Sequence, residues 1–101
     1  MDELFYTTAT DSEIKAEKQR ARELRKERWW KEKLARGICE YCGEKFPPEE
    51  LTMDHIVPLV RMGKTVKSNI ACACKECNNK KKYLLPMEWE EYLNGKKYSD
   101  L

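Results

Sequence analysis

The sequence has few aliphatic side chains, and this scarcity limits how it can fold. Leu, Ile, Val and Phe make up just under one fifth of the 101 residues, a share at which chains of high net charge are disordered. The formal net charge is only +2, so a folded domain is still expected. A chain this short and this poor in aliphatic side chains needs a staple, and a structural metal can supply that folding free energy.

Long apolar runs are also missing, and the cysteine count is odd. Nothing in the sequence approaches the roughly 20 apolar residues of a membrane span, and no apolar segment opens the chain as a signal peptide would. Five cysteines cannot all pair with one another, so a disulfide scaffold is the weaker interpretation. We therefore expect a cytoplasmic, zinc-stapled protein with no membrane partner.

Four of the five cysteines form two C-x2-C pairs, Cys39 with Cys42 and Cys74 with Cys77. Two such pairs can close a tetrahedral structural zinc site, because each pair reaches one ion from a tight turn. The gap of 31 residues between the pairs is longer than in compact zinc ribbons, so the metal should pin the base of a larger element. Cys72 does not share the pair spacing and is expected to be a small buried hydrophobe.

The segment before the first cysteine pair is predicted to be one long basic helix over residues 11–36. Thr10 and Glu13 have capping-box spacing, no Gly or Pro interrupts the segment, and Gly37 suits a left-handed helix C-terminus. Residues 13–36 contain ten Lys or Arg and five Glu, which is compatible with either a solvated helix or a phosphate-contacting arm. The apolar stripe is thin, so the first half is expected to project into solvent.

The remainder is predicted to form two strands followed by two helices. One strand is predicted to end near His55 and the next to cover residues 70–73, followed by a helix within residues 75–83. A last helix is predicted to start at Pro86 and stop at Asn94-Gly95, with Trp89, Tyr92 and Leu93 on its buried side. The expected units are an N-terminal basic helical extension, a small domain and a C-terminal tail, at residues 1–36, 37–95 and 96–101.

The stretch from Cys39 to Lys81 contains several short motifs in a fixed order. It reads C-E-Y-C, then D-H-I-V-P, then an Asn, then C-K-E-C-N-N-K-K. In these motifs and their order it resembles a zinc-bearing HNH endonuclease. The resemblance covers nearly half of the chain and implies an α+β fold, the small ββα-metal (HNH or His-Me finger) domain, here stapled by a zinc ion on four cysteines and preceded by a long helix. The chain departs from the family at Met62-Gly63, where Gly-Gly is frequent, and at Lys82, where a Gly is common.

The resemblance implies a role for each motif residue. His55 would be the general base that activates water, and Asn69 would brace the following loop and help to orient that base. Asp54 and Asn78 would bind a catalytic divalent ion, Mg²⁺ or Mn²⁺ or another divalent metal, while Cys39, Cys42, Cys74 and Cys77 would bind a separate structural zinc. Basic residues near the site are expected to contact DNA phosphates, with a solvated face as the alternative: Arg61, Lys80, Lys81 and Lys82.

The function expected from these residues is hydrolysis of DNA phosphodiester bonds, most simply as a nick in double-stranded DNA with weak sequence preference. Imidazole has a pKa near the working pH, so a neutral histidine can take a proton from water. Two alternatives stay open: a non-catalytic zinc module that binds nucleic acid, and an accessory nuclease subunit, for example in phage DNA packaging, that is active only with a partner. Double-strand cleavage would need a homodimer or two encounters, and a phage or host protein partner is also compatible with the sequence.

Overall fold

Four helices and a two-stranded sheet form the part of the chain that the computed structural model describes, residues 8–99, with side chains considered up to residue 95. In chain order the elements are α1 (Asp11–Leu24), α2 (Arg28–Arg36), β1 (Leu51–His55), β2 (Ile70–Cys74), α3 (Lys75–Lys81) and α4 (Pro86–Ser99). None of the helices within this range is both long and apolar enough to cross a lipid bilayer.

Strands β1 and β2 form an antiparallel hairpin that α3 follows without a break. Leu51 pairs with Cys74 at one end of the hairpin, and His55 pairs with Ile70 at the other. The Cys74 side chain caps α3 by accepting a hydrogen bond from the backbone N–H of Cys77. The predicted α+β class and the strand, strand, helix order are therefore confirmed.

The single helix expected over residues 11–36 is wrong, because the chain turns between α1 and α2. The capping box at Thr10 and the left-handed Gly37, with φ of 68°, are both present. A straight helix over the whole segment would be roughly 40 Å long and could not return to a small domain. The turn allows Leu24 on α1 and Trp30 on α2, 7% and 3% exposed, to enter the same core.

The expectation that the first half of this segment projects into solvent is also wrong. Glu17, Ala21 and Leu24 are buried and share one face of α1, as the spacing i, i+4, i+7 allows. Ala21 and Leu24 belong to the core that contains Met53 and Cys72 of the hairpin. The stripe looked too thin in the sequence because one of its members is a glutamate.

Helix α4 differs from its prediction in length and in its buried face. It begins at Pro86 as expected but continues through Gly95 to Ser99, since a glycine inside a helix costs only about 1 kcal/mol. Trp89 is buried, whereas Tyr92 and Leu93 are 40% and 41% exposed, which corrects the expected buried side. The Trp89 ring contacts the Tyr41 ring edge to face and stacks on the Tyr92 ring, with centroid distances of 5.7 and 5.6 Å.

Both departures from the family's glycine pattern fall where the backbone has positive φ. Met62 has φ of 71° and Lys82 has φ of 47°, and they are the non-glycine residues with positive φ in the described part of the chain. Glycine adopts such conformations without steric cost, so the frequent family glycines fit the same backbone. The neighbouring Gly63 cannot be replaced without a shift, because an added Cβ would lie 1.7 Å from the Val57 carbonyl oxygen.

Candidate functional site

Four of the cysteines form a cluster at the base of the hairpin. The sulfur atoms of Cys39, Cys42, Cys74 and Cys77 all lie within 4.8 Å of one another. A tetrahedral zinc with Zn–S bonds near 2.3 Å would place the sulfurs roughly 3.8 Å apart, so the cluster fits this ion with small adjustments. These four residues could hold a structural zinc.

Local backbone geometry directs N–H groups at two of the sulfurs and favours a thiolate at Cys39. Gly43 has φ of 77° in the first turn, and the backbone N–H groups of Cys42 and Cys77 each point at the sulfur three residues earlier, at 3.4 Å. Burial raises the pKa of the Cys39 thiol, but hydrogen bonds from backbone N–H groups outweigh it and bring this pKa to about 7. Cys72 is 1% exposed and lies outside the cluster, as expected of a small buried hydrophobe.

His55 ends β1 with one ring nitrogen held in a defined hydrogen bond. Its Nε2 lies 2.9 Å from Thr65 Oγ1, and that hydroxyl donates its proton to the Glu17 carbonyl oxygen at 2.9 Å. Since a hydroxyl has one proton to donate, the Nε2 atom must be the donor toward Thr65. Neutral His55 then carries its lone pair on Nδ1.

The surroundings of His55 also favour its neutral form. Burial lowers the pKa of the imidazole, and the positive charges of Arg25 and Lys81 lower it further, against an opposing effect of Asp54 and Glu17. A pKa below the usual value keeps the ring unprotonated at pH 7, which is the state that can accept a proton.

His55 lies in a cleft between α1 and the hairpin. One part of the cleft, with a volume of about 420 Å³, is lined by His55, Asp54 and Tyr83 together with the basic residues Lys18 and Lys82. An adjoining part of about 280 Å³ is lined by His55, by Lys18 and Arg22 of α1, and by Arg25, which directly follows α1. The chain's single histidine thus faces a depression whose α1 wall is positively charged.

Asp54 is buried next to His55 and is already paired. It is 6% exposed, and its Oδ2 accepts a hydrogen bond from the Tyr41 hydroxyl at 2.6 Å and lies 3.2 Å from Lys81 Nζ. Burial and the adjacent carboxylate raise the pKa of Tyr41, so the phenol stays a proton donor. The two contacts share one oxygen, which leaves Oδ1 as the atom that could bind a cation.

Lys81 does not lie where a DNA-phosphate contact would need it. The residue is 0% exposed, because its position on α3 turns the side chain inward, where Nζ contacts Asp54 and donates to the His55 carbonyl oxygen at 3.1 Å. This burial corrects the expectation that Lys81 contacts phosphate. Its ammonium instead compensates the buried charge of Asp54.

The two asparagines of the motif make different contacts. Asn78 on α3 donates from Nδ2 to Thr52 Oγ1 at 3.1 Å, and Thr52 shares a face of β1 with Asp54 because strand side chains alternate. The Oδ1 atom of Asn78 therefore remains as a ligand atom on the side of the strand that carries Asp54.

Asn69 holds the loop that follows His55. Its Oδ1 accepts a hydrogen bond from the Val57 N–H at 2.9 Å, and its Nδ2 donates to the carbonyl oxygens of Val57 and Lys64 at 3.1 and 2.8 Å. A part for Asn69 in catalysis stays a prediction.

The other basic residues expected near the site have distinct surroundings. Arg61 pairs with Glu88 at 3.2 Å and donates to the Tyr83 carbonyl oxygen, which ties the loop to the start of α4. Lys80 pairs with Glu76 at 2.8 Å on the surface of α3, and the exposed Lys82 lines the cleft.

Sequence reasoning missed the residues that surround the motif in space. Tyr41 lies inside the first cysteine pair, and Glu17 and Thr65 approach His55 from the N-terminal helix and the loop. The available signal was a glutamate at an apolar position of α1, since a buried carboxylate needs hydrogen-bond partners. Nothing in the local sequence marks Thr65.

Residues 39–83 match the family model described as HNH endonuclease. The match covers the cysteine cluster, the hairpin and α3, which confirms the resemblance read from the motifs. Residues 39–83 are therefore similar to the HNH endonuclease family, whose members are nucleases that act on DNA. No curated protein matches the chain.

The buried pair of Lys81 and Asp54 predicts a large stability effect. Replacing Lys81 by methionine keeps most of the side-chain volume but leaves the Asp54 carboxylate buried without its cation, which typically costs about 3 kcal/mol or more. Urea unfolding of the zinc-loaded protein measures this loss. The control is Lys80→Met, which breaks a surface pair worth less than about 1 kcal/mol; equal stability of the two variants would contradict the assignment.

Proposed function

We propose that this protein hydrolyses phosphodiester bonds of DNA, with His55 as the general base. The observation that carries the proposal is the hydrogen bond between His55 Nε2 and Thr65, which leaves the lone pair on Nδ1 of a histidine that lines a basic cleft, within the segment that matches the HNH family. A water molecule hydrogen-bonded to Nδ1 would give up its proton to this nitrogen as its oxygen attacks phosphorus. The bond from phosphorus to the leaving sugar oxygen would break, and that oxygen would take a proton from solvent. Proton transfer of this kind typically contributes about 10²- to 10⁴-fold to the rate.

Asp54 and Asn78 are proposed to hold the catalytic divalent ion, separate from the zinc at the cysteines. A carboxylate oxygen and an amide oxygen are ligands that suit Mg²⁺ or Mn²⁺. When bound, such an ion stabilises the negative charge on the phosphate and on the leaving oxygen. Two protein ligands leave room for phosphate oxygens and water, so we expect weak ion binding in the absence of DNA.

The basic wall of the cleft is proposed to hold the scissile strand. Lys18 and Arg22 of α1, and Arg25 directly after it, line the parts of the cleft that His55 also lines. Contacts of Lys and Arg with phosphates position a strand without reading its bases. One such site acts on one strand at a time, which supports nicking with weak sequence preference.

Arg25→Ala is predicted to weaken DNA binding and to lower its salt dependence. Each phosphate contact contributes about 0.9 to the slope of log K against log salt concentration, so the loss of one contact should reduce the slope by about one. Fluorescence anisotropy with a labelled duplex at several salt concentrations measures both quantities. Lys45→Ala is the control, because Lys45 is exposed but does not line the cleft; an equal effect of the two changes would remove Arg25 from the DNA site.

One observation favours a second candidate, a zinc module that binds nucleic acid without cutting it. The Asp54 oxygen nearest to Lys81 and Tyr41 already has two partners, so the ion must bind through the other oxygen or displace the lysine. A partner protein that moves Lys81 would make the chain an accessory nuclease subunit. These candidates differ from the main proposal in whether the isolated chain cuts DNA.

An end-labelled DNA duplex tests the proposal. The zinc-loaded protein is mixed with the duplex and Mg²⁺ or Mn²⁺, and the sample is divided between a native gel, which reports binding, and a denaturing gel, which reports strand scission. Ion-dependent scission at many positions supports a nuclease with weak sequence preference. Cuts clustered at one sequence would overturn the weak sequence preference but not the nuclease activity. Binding without scission for every ion would favour the binding module.

A further inference from the structure

We propose that helix α1 is part of the active site, with Glu17 and Thr65 as positioning residues that fix the imidazole of His55. This inference rests on the proposed role of His55 as the general base. It assigns a function to a helix that lies outside residues 39–83, the segment that matches the HNH family. The assignment follows from a continuous chain of hydrogen bonds.

The chain of hydrogen bonds runs from α1 through the loop to the ring. Glu17 contacts Thr65 twice: its Oε1 accepts from the Thr65 backbone N–H at 2.7 Å, and its carbonyl oxygen accepts from the Thr65 hydroxyl at 2.9 Å. Thr65 Oγ1 in turn lies 2.9 Å from His55 Nε2. These two contacts fix both the backbone and the hydroxyl of Thr65, so Thr65 Oγ1 is held in one position relative to the His55 ring.

Burial shows that Glu17 is more than a surface residue of a basic helix. It is 6% exposed, on the face of α1 that also carries Ala21 and Leu24. A carboxylate in such a position is costly unless hydrogen bonds and cations compensate it, and here Arg20 lies 2.7 Å away and Lys64 4.0 Å away. An apolar residue would dock the helix at lower cost, so docking alone does not account for a glutamate at this position.

The consequence for chemistry concerns which ring nitrogen carries the proton. The Thr65 hydroxyl donates its one proton to the backbone carbonyl oxygen of Glu17, so Thr65 Oγ1 can only accept a hydrogen bond from His55. The ring proton of His55 is therefore on Nε2 and the lone pair is on Nδ1. The same bond limits rotation of the ring about its Cβ–Cγ axis. General-base catalysis requires both a correct tautomer and a correct direction, and α1 supplies the atoms that set them.

The test uses the fact that the chain has one histidine. In full-length, zinc-loaded protein labelled with ¹⁵N-histidine, the His55 Nε2–H gives a single cross-peak in a one-bond ¹H–¹⁵N spectrum. A hydrogen-bonded proton that exchanges slowly with water is visible, whereas one that faces solvent is lost by exchange. Spectra recorded near pH 8, above the usual histidine pKa of about 6.5, report the neutral ring without DNA or a catalytic ion.

Two matched pairs of variants distinguish positioning from helix docking. Thr65→Ser keeps the hydroxyl and should retain the cross-peak, whereas Thr65→Val keeps the shape and should lose it. Glu17→Gln keeps an oxygen acceptor and should retain the peak, whereas Glu17→Leu should weaken or remove it. Far-ultraviolet circular dichroism and zinc content verify that each variant is folded. If Glu17→Leu does not fold, the two Thr65 variants alone show whether the hydrogen bond holds the His55 proton.

Nicking kinetics provide the second readout. Thr65→Val should lower kcat by at least about fivefold, the effect of one lost hydrogen bond, with KM for DNA unchanged and with recovery in Thr65→Ser. A cross-peak missing from the wild-type protein, or equally present in Thr65→Val, would overturn the inference. If the spectra follow the prediction while no protein cuts DNA, the positioning by α1 holds and the proposed function fails.

Discussion

Replacing His55 by alanine is expected to slow DNA nicking by about 100- to 10,000-fold, the range that a general base contributes. The imidazole lines the cleft and carries its lone pair on Nδ1, because Nε2 donates to Thr65. Burial lowers its pKa, so the nicking rate proposed for the wild-type protein should not depend on deprotonating this ring at neutral pH. Removal of the imidazole leaves water to attack without a base.

The same substitution should leave binding and folding intact. His55 is half-buried at the end of β1 and is not a member of the hydrophobic core, so zinc content and the unfolding midpoint are expected to change little. DNA affinity measured without a divalent ion should also be unchanged, because the phosphate contacts are proposed to come from α1. Loss of affinity in His55→Ala in proportion to the loss of cleavage would mean that the residue binds DNA and does not act as a base.

Removal of zinc is expected to unfold the domain. Zinc binding by structural sites of this kind is worth about 10–16 kcal/mol in small peptides, as much as the whole stability of a typical domain, about 5–15 kcal/mol. The apolar core here is small, and two of the four cysteines, Cys39 and Cys74, are 0% and 2% exposed inside it. Without the ion, the four sulfurs that now lie within 4.8 Å of one another would lose the bonds that hold the two cysteine pairs together.

Chelator titration followed by tryptophan fluorescence measures this effect, because Trp30 and Trp89 are buried at 3% and 6% exposure. Cys74→Ser should unfold the protein in the same way even with zinc in excess. Cys72→Ala is the matched control: it alters a neighbouring buried cysteine of the same strand that lies outside the cluster, and it should keep one zinc per chain. A protein that keeps its spectrum and its cooperative unfolding after the zinc is removed would contradict the structural role.

The hairpin, α3 and the cysteine cluster were predictable because local patterns determine them. The two C-x2-C pairs, the alternation before His55 and the short helix after Cys74 are each encoded within a few residues, and the family resemblance places them in order. The left-handed Gly37 and the capping box at Thr10 are likewise local. Each of these features was found where it was expected.

The errors share a physical cause, which is that tertiary contacts override local preference. Residues 25–27 are compatible with helix, but a turn there lets both flanking helices enter one core. Lys81 belongs to a run of lysines that looks solvated, yet its register on α3 places it beside Asp54. The contact of Glu17 with Thr65 joins residues 48 positions apart, and no local pattern predicts such a pair.

Conversion of supercoiled plasmid to open circles by the zinc-loaded protein tests the central claim most directly. Open circles are predicted to accumulate only when Mg²⁺ or Mn²⁺ is added, and the plasmid should stay supercoiled in a parallel sample of His55→Ala with the same zinc content. A folded, zinc-replete wild-type protein that leaves the plasmid supercoiled with every ion would contradict the claim that this chain is a nuclease on its own.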